Sequence, residues 1–140
     1  MNKHLYRASL LAGILSFGAI AVEAQTSLRA NVPFSFQLPH AQMPAGEYTI
    51  GQLSPGSPII IFRNSHAGKG AMIMASGEIG NFQDQRPRLV FRCAGGQCAL
   101  SEIWGALPEG GVRVSPPRVS PRDKEQLSVV YMERKPSEKK

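Results

Sequence analysis

Over residues 28–36, Leu28, Ala30, Val32, Phe34 and Phe36 alternate with Arg29, Asn31, Pro33 and Ser35, the period-two pattern of a strand with one buried face. Shorter apolar runs recur at residues 48–50, 58–63 (PIIIFR), 71–76 (AMIMAS), 88–93 (RLVFRC), 98–104 (CALSEIW) and 127–132 (LSVVYM), with Gly, Asn, Ser or Pro between them. Beyond residue 24 no stretch carries a long helical period. Short strands at this spacing predict an all-β fold, a single antiparallel β-sandwich or small open barrel. Pro33 has no amide to donate to a ladder, which places the first strand at a sheet edge or its proline on an unpaired side.

The connections follow from turn chemistry. In PAGE, Pro44 presets its own φ and Gly46 accepts a positive one, so the turn delivers Tyr48, Thr49 and Ile50 into a sheet. The preceding QLPHAQMPAG reads as a loop, and RNSHAGKG as a hairpin loop. Residues 107–126, rich in Pro, Gly, Ser and Arg, read as a linker or extended loop ahead of the last strand. Within it Ser120 can cap, and Pro121 can open, a single helical turn ending near Gln126. The organisation expected is a main β-domain over 25–106, the linker, a returning strand over 127–132, and a basic disordered end over 133–140.

The first 24 residues have the parts of a secretory signal. Lys3 and Arg7 give the positive start, residues 8–22 an apolar run, and Val22-Glu23-Ala24 a small-residue cleavage pattern. The apolar run is short of the roughly 20 residues that a spanning helix needs. Cleavage after Ala24 is therefore expected, leaving a soluble chain from Gln25 in the periplasm or outside the cell. It removes Lys3, Arg7 and Glu23 and leaves a net charge one unit below the full chain's +6. The remaining length suits one domain. Charge is concentrated late, where residues 113–140 hold eight Lys and Arg against four Asp and Glu. Such an end favours anionic envelope glycans or polysaccharide by screened long-range attraction. Export separates the chain from the chromosome, so nucleic acid is not expected as its physiological partner.

Cys93 and Cys98 bracket Ala94-Gly95-Gly96-Gln97 between two strands, and in an exported protein such a pair closes a hairpin as a disulfide. A thiol oxidoreductase would place C-x-x-C at a helix start, where the dipole lowers a thiol pKa. Here the spacing is longer and both neighbours are strands. With only His40 and His66 beyond the signal, no paired zinc-ligand spacing exists, and no cofactor is expected. There is no G-x-S-x-G, and Ser65 and His66 are adjacent, so their side chains diverge. Glu47, Glu78, Asp84 and Glu102 are scattered. Tyr48 and Trp104, with Phe62, Phe82 and Tyr131, are candidates for a sugar-stacking platform, set against a role in the core. Met72 and Met74 read as strand residues.

The combination of VPFSF (32–36), MPAGEYTI (43–50), RLVF (88–91) and LSEIW (100–104) resembles a family of small exported β-rich proteins common in soil bacteria. That family has no assigned activity. The likeness spans about residues 31–104, and the Pro-rich stretch beyond departs from it. It implies an extracytoplasmic β-domain and supplies no catalytic residue. The function expected is a non-catalytic structural or binding module of the cell envelope. The alternative is an extracytoplasmic hydrolase, which requires Glu47, Glu78, Asp84 or Glu102 to meet in one cleft.

Overall fold

The computed structural model describes residues 27–80, 86–107, 110–115 and 124–135. They form eleven strands: β1 (Leu28–Val32), β2 (Phe36–Leu38), β3 (Ala41–Met43), β4 (Gly46–Gln52), β5 (Ile59–Asn64), β6 (Lys69–Met74), β7 (Gly77–Ile79), β8 (Arg88–Ala94), β9 (Gln97–Leu107), β10 (Gly110–Arg113) and β11 (Gln126–Arg134). Nine of them pair in the order β3-β2-β9-β8-β11-β1-β4-β5-β6, while β10 adds to β9 and carries β7. Because β7 follows β6 after two residues, the wall bends back on itself. Ser76 fastens the bend, its N–H and its hydroxyl both donating to the Arg113 carbonyl at 3.0 and 2.9 Å. The result is an all-β, nearly closed barrel, as the alternating sequence predicts.

The alternation decides what lies inside. Leu28, Ala30 and Val32 of β1 are buried while Arg29 and Asn31 are exposed. At the centre Phe36 meets Tyr48 and Phe91 edge-on, with centroids 5.3 and 5.2 Å apart, and Phe62 lies 6.4 Å away. Edge-to-face rings match the positive rim of one to the negative face of the next. Phe36 reaches this position because the chain leaves the wall after Val32 and returns as β2, parallel to β9 with Phe36 opposite Cys98.

Several expectations change. The first alternating run is not one strand: β1 ends at Val32, and Pro33 begins the crossing to β2. Nor is β1 an edge, since it pairs with β4 on one side and β11 on the other. The proline lies just past the ladder and so costs it no bond. Part of the expected loop QLPHAQMPAG is the β2–β3 hairpin. The expected linker contains β10, whose Gly110-Gly111-Val112-Arg113 pairs with β9 and β7. The last strand is longer than residues 127–132 and takes in Glu133 and Arg134 from the end expected to be disordered. The returning strand thus joins the sheet as β11, and part of the expected linker joins it as β10. The helical turn at 120–126 falls mainly outside the described residues, and Gln126 opens β11. The signal segment also lies outside them.

Candidate functional site

Each candidate can be placed by its strand. Tyr48 is fully buried on β4, and its hydroxyl donates to the Pro44 carbonyl across the turn that Gly46 opens. Gly46 has φ +150, and an added Cβ would lie 2.7 Å from Nδ2 of the buried Asn64. PAGE is therefore a fixed corner that holds Tyr48 in the core. Trp104 is on β9 at the rung of Gly111, whose missing side chain lets the indole lie against the backbone. Its Nε1 donates to Oε2 of Glu102 at 2.9 Å, and the Arg88 guanidinium stands 4.9 Å from the ring centre. Trp104 is 8% exposed. The expected ligand platform of Tyr48 and Trp104 is thus corrected: one ring fills the core and the other is covered where it lies. Phe62 is buried beside Tyr48, Phe82 is outside the described residues, and only Tyr131 of the described candidates is exposed, at 47%.

The carboxylates are separated by the same register. Glu47 on β4 pairs with Arg29 on β1 at 3.4 Å. Glu78 faces Val112 across β7–β10, whereas Glu102 faces Arg113 across β9–β10. Neighbouring residues of a strand point to opposite faces, so these two carboxylates are directed to different sides of the wall. Asp84 lies outside the described residues. His66 is in the β5–β6 turn, and His40 is in the β2–β3 turn. Among the described residues no three His, Cys, Asp or Glu side chains gather as a metal-ligand set.

Cys93 and Cys98 do come together. They are opposite each other in the β8–β9 ladder, with Cα atoms 4.0 Å and sulfurs 2.03 Å apart, at disulfide distance. Gly95 and Gly96 make the turn with φ +59 and +77, the pair of left-handed residues that a two-residue hairpin of primed type requires. The expected pairing is therefore geometrically in place.

Sequence reasoning named Tyr131 but missed the rest of the surface it belongs to, on the outside of β8 and β11. Leu127, Val129 and Tyr131 are 67%, 45% and 47% exposed, because Ser128, Val130 and Met132 take the inward face. They stand at the rungs of Arg92, Val90 and Arg88. The Arg86 guanidinium lies 4.2 Å from the Tyr131 ring centre, and Arg92 pairs with Glu125 at 3.2 Å. Residues 127–132 are apolar on both faces except for Ser128, so alternation alone leaves open which face turns inward. A second feature is an open cavity of about 390 Å³ between Ile59, Met72, Ile73 and Met74 on one side and Pro39, His40 and Ser115 on the other. Compared with protein-family models, curated proteins and solved structures, the chain finds no match.

Proposed function

We propose that this protein is an exported, non-catalytic structural or binding module of the cell envelope whose partner is an anionic glycan or polysaccharide. The observation that carries the reading is the outer face of β11. An exposed tyrosine ring with Arg86 stacked on it, flanked by Leu127 and Val129, runs directly into Arg134 and Lys135. An aromatic body with a polar tip suits the apolar face and hydroxyls of a sugar ring. A guanidinium presents a planar fork to carboxylate or phosphate. The late cluster of basic residues adds attraction that salt weakens. The barrel centre is filled by Phe36, Tyr48, Phe62 and Phe91, which leaves recognition to the outside. The likeness to small exported β-proteins supports the same reading.

Two measurements test it. Intact mass of the protein recovered from the envelope should correspond to a chain starting at Gln25; a full-length species confined to membranes would sink the soluble, exported reading. Retention of the mature chain on immobilised polygalacturonate should exceed retention on neutral dextran and fall as salt is added. The pair Arg86→Ala and Tyr131→Ala should weaken it several-fold without altering the unfolding temperature. Equal retention on the two resins would refute anionic recognition.

A further inference from the structure

Among the described residues strand β6 forms a ladder with β5 alone. The Ala75 N–H donates to the Pro58 carbonyl at 3.0 Å, continuing that ladder by one rung. Antiparallel alternation then turns the N–H and C=O groups of Lys69, Ala71 and Ile73 toward β5 and those of Gly70, Met72 and Met74 to the opposite side. Among the described residues no strand pairs with that side. Edge strands of monomeric proteins are ordinarily blunted by charges, prolines or bulges. In β6 the single charge is Lys69, at its first position, and there is no proline. Met72 and Met74 are instead 65% and 68% exposed on its outer face, beside the half-buried Ile59 and Ile61 of β5. The open cavity lies against Ile59, Met72, Ile73 and Met74, with Pro39, His40 and Ser115 completing its lining.

A row of backbone donors and acceptors is matched by another extended polypeptide, and the sequence of β6 matches itself. We infer that β6 pairs with β6 of a second copy, antiparallel about a two-fold axis through Met72. In that register Met72 faces Met72 and Gly70 faces Met74 of the other copy, all three positions of each strand having their backbone groups directed across the seam. On the outer face each Met74 thioether lies over a glycine with no side chain to obstruct it. On the inner face Ala71 lies opposite Ile73, again small against large. Lys69 faces Ala75, so the two ammonium groups stand at opposite ends of the seam, roughly 20 Å apart for six residues of strand. Moving the axis one residue, to Ala71 or Ile73, would leave two hydrogen-bonded pairs across the seam in place of three. The interface is isologous and closes at two copies, as a two-fold contact must.

The test uses the mature chain. Sedimentation equilibrium should give twice the monomer mass, dissociating on dilution. Met72→Lys, at an outward position, should shift the protein to monomer while leaving its circular dichroism unchanged, since two like charges would oppose each other at the axis. Met72→Cys treated with diamide should link two copies through their position-72 sulfurs, because Cα atoms in a hydrogen-bonded pair lie about 5.5 Å apart, within disulfide reach. Lys69→Cys should not link. A native chain that is monomeric at every concentration and gives no position-72 link overturns the inference, and so does a dimer that Met72→Lys leaves intact.

Discussion

At Gly111 an added Cβ would sit 2.6 Å from Cδ2 of Trp104, so the indole and the glycine occupy one another's space. Gly111→Ala should displace the ring or bend β10 and destabilise the fold by about 1–3 kcal/mol, the usual range for overpacking. Because the chain has a single tryptophan, urea unfolding followed by its fluorescence reads both the lost stability and a red-shifted native spectrum. Tyr48 gives a contrasting case. Its ring is held by Phe36 and Phe62, and its hydroxyl serves the Pro44 carbonyl. Tyr48→Phe should keep the ring and cost about 1 kcal/mol, the net value of one buried hydrogen bond. Native-like aromatic circular dichroism would accompany that loss. A cost near zero would show that the carbonyl needs no protein donor.

The β8–β9 hairpin joins a tight turn, a cross-strand cysteine pair and a bulge that sets Val90 opposite Glu102 and Phe91 opposite Leu100. The turn already fixes the register, and the loop closed by Cys93 and Cys98 is short, so the disulfide should add only roughly 2 kcal/mol by the chain-entropy estimate. Replacing both cysteines with serine should therefore leave a folded protein with a lower urea midpoint, and thiol labelling of the native chain under oxidising conditions should find neither sulfur free. This hairpin was legible in the sequence because its signals are local: two apolar runs, two glycines and two cysteines at matching offsets. The PAGE corner was legible for the same reason. Strand β10 was not, because glycines have no strand preference of their own; its pairing comes from β9 and β7, and its glycine is needed by a tryptophan seven residues back. The β2–β3 hairpin was hidden by Pro39 in its turn and Pro44 just past its end. As for the candidate site, spacing located the cysteine pair, whereas the exposure of Tyr131 and the burial of Tyr48 and Trp104 depend on which faces turn inward, a property of the assembled wall.

In the whole barrel β11 is central rather than peripheral, joining β8 on one side to β1 on the other. Glu133 and Arg134 pair with Arg29 and Leu28, and the Lys135 N–H donates to the Ser27 carbonyl at 3.0 Å. Deleting residues 133–140 should consequently lower the melting temperature by roughly 5 °C, about 1 kcal/mol for a domain of this size. Deleting from Gln126 removes both ladders of β11 and should abolish the cooperative transition in calorimetry. Among the described residues β1 and β11, the neighbours so joined, are the first and last strands in chain order. A ribosome makes β1 and β8 before β11, so both wait with an open edge until β11 emerges to join them. Contacts between such distant segments also form slowly once the chain is complete. The topology thus leaves the nascent polypeptide without a joined wall until the strand that bridges β1 and β8 has been made.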